Sequence, residues 1–161
     1  MKKFYILVAM LLLSVSAFAQ NGRSLYNKYS DYDNVEAVYI SPAMFRLIGK
    51  IPDLKIEDSQ VDLSPIIRSL SGLYMIDSQN PGINAAMQAD VEHFVAAGKY
   101  ELLMEANDSG EQMRMYSIGD EKTVSSFVML AVDGDETTFL CLDGQMDRAQ
   151  LEKILAEEMK K

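Results

Sequence analysis

Between Lys99 and Gly144 the chain reads as four extended segments separated by tight turn signals, and no other stretch restricts its fold as strongly. "KYELLMEAN" (99–107) and "QMRMYSIG" (112–119) meet across Asp108-Ser109-Gly110. "SSFVMLAVD" (125–133) and "TTFLCLDG" (137–144) meet around Gly134-Asp135. Short turns of Asp, Ser and Gly between β-prone runs predict hairpins, and two hairpins in succession predict an antiparallel meander. "MDRAQLEKILAEEMKK" (146–161) then reads as an amphipathic helix capped by Asp147, with Leu151, Ile154 and Leu155 facing inward.

Upstream, "VEAVYIS" (35–41) is a strand, and Ser41-Pro42 fits a helix start, with the serine hydroxyl taking a backbone N–H and proline in the first helical position. Met44, Leu47, Ile48 and Ile51 give that helix an apolar face, closed by Gly49 and Pro52. Residues 53–72 read as a loop followed by one or two helical turns after Ser64-Pro65. "GLYMIDS" (72–78) is a strand and "QNPG" (79–82) a turn. Ile83, Met87, Val91, Phe94 and Val95 then keep helical spacing up to a stopping Gly98. "NGRSLYNKYSDYDN" (21–34) predicts a short helix capped by Ser24. Its tyrosines at 26, 29 and 32 form a strip that either packs on the core or stacks on a sugar. The order helix, strand, helix, strand, helix, four strands, helix predicts an α+β fold. It is expected to be a single domain with a mixed, mainly antiparallel sheet of about six strands and helices packed mainly on one face. Right-handed crossovers are expected for the units 35–77 and 72–106.

Residues 1–19 stand apart. Lys2 and Lys3, the apolar run Phe4–Leu13 and the small residues Ala17 and Ala19 make a cleavable signal peptide, with cleavage between Ala19 and Gln20. "SVSAFAQNGRS" turns polar too early for the ~20 residues of a membrane span. Residues 20–161 then form the domain, exported to the periplasm or the extracellular space without a transmembrane anchor. The full chain carries a net charge of −9, and without Lys2 and Lys3 the remainder carries −11. No Lys/Arg cluster is present to neutralise a run of phosphates, which argues against nucleic acid as a partner. The single cysteine, Cys141, permits no internal disulfide, and none near the cleavage site is available for a lipid anchor.

The chemistry-bearing residues are sparse. Ser41 as a nucleophile lacks the glycine elbow of G-x-S-x-G, and Pro42 removes an N–H that an oxyanion hole would use. As a helix N-cap it needs neither. Cys141 with the only histidine, His93, would make a thiol enzyme, but its place between Leu140 and Leu142 is that of a small core side chain. One His and one Cys fall short of the three or four His, Cys or carboxylate ligands that a dedicated zinc site draws together. "DGDE" (133–136) lacks the ligand spacing of an EF-hand and reads as a turn. Glu101 and Glu105 alternate with apolar neighbours as solvent-facing strand residues do. No catalytic residue, metal ligand or cofactor is assigned.

The remaining signal is apolar. Met113 and Met115 face one way along their strand while Arg114, Tyr116 and Ile118 face the other, and the strands over 125–132 and 137–142 are apolar on both faces. Either helices cover both sides or a patch is left for a partner. Met113, Met115, Tyr116 and Ile118 are therefore the candidate contact residues. "KYSDYDNVEAVYISPAMFRLI", "LSGLYMIDS", "YELLMEANDSGEQMRMYSIGD" and "SSFVMLAVDGDETTFLCLDGQMDRAQLEKI" together resemble domain-of-unknown-function family 4252, small exported proteins of Gram-negative bacteria. The resemblance runs over roughly residues 24–158. It implies a fold and an export route and assigns no reaction, and the lipobox cysteine frequent among such relatives is missing here. The expected function is that of a non-catalytic domain contacting a protein or envelope partner. The alternative is a small apolar ligand, lipid or peptide held between sheet and helices, lined by Ile66–Tyr74 and Met113–Ile118; an unrecognised hydrolase ranks third.

Overall fold

A computed structural model describes residues 21–49 and 64–158. Residues 1–20, which hold the expected signal peptide and its Ala19/Gln20 junction, and residues 50–63 and 159–161 lie outside the described residues. The elements are α1 (Gly22–Tyr29), β1 (Val35–Ile40), α2 (Pro42–Ile48), α3 (Ser64–Ser69), β2 (Leu70–Ser78), α4 (Pro81–Ala97), β3 (Glu101–Asp108), β4 (Glu111–Gly119), β5 (Thr123–Asp133), β6 (Glu136–Asp147) and α5 (Arg148–Glu158). The six strands form one sheet in the order β1-β2-β6-β5-β4-β3, and every adjacent pair is antiparallel. The fold is α+β.

The meander β3–β6 forms as its turns predict. Ser109 (φ 47°) and Gly110 (φ 100°) both take the left-handed conformation of a two-residue hairpin loop, and Gly134 (φ 55°) opens the second. The start of the chain departs from expectation. Residues 35–77 form no parallel unit: Ile40 lies opposite Leu73 and Val35 opposite Ser78, so β1 and β2 are antiparallel. The chain re-enters the sheet at the end where it left, and no crossover is needed. β2 and β3 do run in the same direction, but with β6, β5 and β4 between them.

Helices pack on both faces. On the first, α1 and α4 cover the larger cluster, where Leu25, Met87 and Val91 meet Ile76, Val128 and Phe139. On the second, Ile66 of α3 and Leu151 of α5 join Val124, Phe127 and Met146. The caps are local. Asn21, not Ser24, is the N-cap of α1: its side chain accepts from the Ser24 N–H (2.9 Å) and the Ser24 hydroxyl accepts from the Asn21 N–H (3.1 Å). Asp147 accepts from the Gln150 N–H at the start of α5. Gly98 ends α4 in a right-handed conformation, and it is Lys99 (φ 56°) that turns left-handed. Gly98 matters instead for space, since a Cβ there would lie 2.6 Å from the Tyr100 ring.

Polar contacts fix how the helices seat. Buried Asn84 accepts from the Ser78 hydroxyl (2.7 Å) and donates to the Asp135 carbonyl, pinning α4 to β2 and to the β5–β6 turn. Asp90 of α4 accepts from Tyr29 Oη (2.7 Å) and from Lys28 Nζ of α1. Burial alone would raise the Asp90 carboxyl, but the hydrogen bonds from Lys28 and Tyr29 outweigh it and hold it below the usual carboxylate range. A carboxyl whose folded pKa is depressed contributes stability above its unfolded pKa and loses it as pH falls through the folded value. Asp90→Asn is therefore expected to cost about 1 kcal/mol near pH 7. The difference from the parent chain should begin to shrink as pH falls through the ordinary carboxylate range and vanish only below the depressed folded value. Urea titrations of both chains from pH 7 to pH 2 check this, and a gap independent of pH would refute it.

Candidate interaction surface

The registers place one row of side chains across the whole second face of the sheet. Val38, Met75, Leu140, Met129, Met115 and Met104 stand opposite one another in turn, one from each strand. Val38 is exposed and the other five are half-buried. Four of the six are methionines, whose flexible thioethers fit surfaces of varied shape. Among the described residues, helical cover on this face gathers at one end, where Ile66 and Leu151 sit over Phe127, and Met115 and Met129 reach only the margin of that cluster.

Two residues further along each strand on the same face, the row reads Glu36, Asp77, Thr138, Ala131, Met113 and Ala106. Two further on, at the hairpin ends, it is wholly acidic: Glu136, Asp133, Glu111 and Asp108. An open cleft of about 240 Å³ at this end of the ribbon is lined by Ala106, Met113, Ala131, Asp108, Glu111 and Asp133 of this face together with Gln112 and Val132, which stand at the alternate register positions. Like charges directly opposite one another in a ladder disfavour pairing, so this acidic edge is kept against a local electrostatic cost. The only Lys or Arg in the six strands is Arg114, on the opposite face. The second face is thus graded along its strands from helix-covered, through apolar, to acidic.

The four sequence candidates do not share one surface. Met113 and Met115 belong to the graded face, whereas Tyr116 lies opposite Val128 and Ile118 opposite Ser126 on the face beneath α4. The runs 66–74 and 113–118 are likewise divided: Ile66 packs with Met115 on one side of the sheet, Tyr74 and Tyr116 with the larger core on the other. Val38, Met75, Met104, Met129 and Leu140 were not identifiable from strand alternation alone, because alternation assigns a face without assigning neighbours. The two hairpin turns do carry part of the signal, since counting back from them sets Met104 against Met115 and Met129 against Leu140.

The nucleophile candidates sit in structural roles. Ser41 is the N-cap of α2, its hydroxyl accepting from the Met44 N–H at 3.2 Å, with Pro42 following at the first helical position. His93 is exposed on α4. Cys141 is fully buried in β6, its Sγ 3.6 Å from Ser126 Oγ and 3.6 Å from Asp143 Oδ1. Burial, with the Asp143 carboxylate beside it, pushes the thiol far above its ordinary pKa, so it stays protonated and unreactive. Ser126 also accepts from Tyr100 Oη (3.0 Å), whose phenol burial pushes up to about 12. Among the described residues no group of three His, Cys, Asp or Glu is placed to hold a metal ion. No helix of the described residues is long and apolar enough to cross a membrane. No curated protein matches the chain. A family described as a domain of unknown function, DUF4252, matches residues 29–154. The match spans the chain from the end of α1 into α5 and takes in every strand, and the chain belongs to the DUF4252 family.

Proposed function

We propose that this is an exported, non-catalytic domain that binds a protein partner in the cell envelope through the graded face of its sheet. The observation that carries the reading is the half-exposed row from Val38 to Met104, an unbroken apolar line across six strands that the helices of the described residues meet only at Met115 and Met129. Apolar side chains kept in contact with water over such a span mark contact surfaces. Supporting it, Ser41 and Cys141 are committed to capping and packing, and export follows from the leader signal of residues 1–19 with cleavage at Ala19/Gln20.

Site-specific photo-crosslinking in cells producing the full chain tests this. A benzophenone side chain at position 38 or 104 is expected to yield a discrete protein adduct whose bait portion begins at Gln20. The same group at position 93, exposed on α4 behind the sheet, should yield none. Equal adducts at 93, or none at 38 and 104 in a folded chain, would overturn the reading. A bait still carrying residues 1–19 would overturn its export component alone.

A further inference from the structure

We propose that the partner presents a basic amphipathic helix to this face, its apolar stripe on the methionine row and its Lys/Arg flank toward the acids of the two hairpins; this rests on the reading of the graded face as the contact surface. The dimensions support it. Six strands spaced about 4.8 Å apart give the row a span of roughly 24 Å, which a helix of about 16 residues matches. From the methionine row to the acidic row is four residues along a strand, roughly 13 Å. A helix with its axis over Met115 and Met129 covers about half of that distance with the half-width of its 10–12 Å diameter, and extended Lys or Arg side chains on that flank reach across the rest toward Glu111 and Asp133.

The charge selects the occupant. The far margin of the face is acidic at each of its four positions, and no Lys or Arg from the strands points to this side. A second copy would bring the same acidic margin and the same net negative charge, −11 once residues 1–19 are removed, so opposite charge favours a different, basic chain. Such complementarity acts on specificity and on the rate of encounter, and it weakens with salt.

The test uses the chain purified from cells expressing the full sequence, with its methionine methyls labelled with carbon-13. One probe is a capped 16-residue peptide of Leu and Lys in an amphipathic helical pattern; the other has Glu in place of every Lys. The Lys peptide is expected to shift the methyls of Met75, Met104, Met115 and Met129 and to leave buried Met87 and Met146 in place. Affinity should fall about tenfold or more in Asp108→Asn/Glu111→Gln/Asp133→Asn/Glu136→Gln, whose substitutions at the hairpin ends leave the Met87 and Met146 signals unchanged. The Glu peptide should not bind. Equal binding of the Glu peptide, undiminished binding by the four-acid variant, or no binding of either peptide would overturn the basic helix. In those cases a soluble gadolinium chelate that still broadens the row methyls leaves the open-face reading standing. Row methyls shielded from the chelate in dilute, peptide-free protein would overturn both readings, and shielding that appears only on concentrating the chain would make a second copy the occupant.

Discussion

Phe139→Ala is expected to lower the free energy of unfolding by about 3–5 kcal/mol, the range for emptying an aromatic site in a packed core. Phe139 is fully buried on β6, between Ile76 of β2 and Leu130 of β5, with Met87 and Val91 of α4 in the same cluster. The size of the effect follows from topology. β6 joins the meander to the β1–β2 pair, so a cavity there loosens both halves of the sheet and the seat of the long helix together. Single domains are stable by about 5–15 kcal/mol, so this one substitution removes a large share. Urea unfolding read by circular dichroism should show the midpoint falling with little change in slope. Leu103→Ala, on exposed edge strand β3, should cost less than about 0.5 kcal/mol. Similar losses at the two positions would contradict the packing described.

Gly22→Ala is the second large effect, expected at about 1–3 kcal/mol for forcing volume into a closed contact. A Cβ on Gly22 would stand 2.6 Å from Cys141 Sγ and 2.9 Å from the Tyr74 ring, at the point where the first turn of α1 meets the sheet. Cys141 is fully buried and has no room to retreat. The helix must lift instead, which strains the Tyr29–Asp90 contact at its other end. Cys141→Ala shortens the obstructing side chain, so Gly22→Ala/Cys141→Ala should be more stable than the two single losses added together. A double-mutant cycle with a coupling of about 0.5–3 kcal/mol would establish the contact. Strict additivity would show that α1 does not seat on β6 at this residue.

The part of the fold legible in the sequence is the part fixed by neighbours in the chain. Two-residue turns at 109–110 and 134–135 set the strand pairings on either side of them, and the spacing of Met87, Val91 and Phe94 on α4 declares a buried face. Ser41 followed by Pro42 announces a helix start because the capping bond closes within three residues. What could not be read is set at long range. Nothing near β2 states that it will lie against β6 rather than parallel to β1; that choice is made by the edge the meander leaves free. Ser24 gave way as the cap of α1 because Asn21 is an equally good capping residue one turn earlier. Alternation placed Met113 and Met115 on one face and Tyr116 and Ile118 on the other, but the row from Val38 to Met104 exists only once all five registers are set.

Arg114 has a consequence for the outer ribbon of the sheet. From the face beneath α4 its guanidinium reaches Glu92 of that helix (2.8 Å) and Glu105 of β3 (3.4 Å). Beside them, the register of β3 slips between Leu102 and Met104, a bulge that bends the edge strand. The β3–β4 ribbon is thereby tied from behind to α4, like a cantilever to its wall, so its bend is set by contacts made within the domain. Whatever meets the front of that ribbon meets a plate whose curvature is already set.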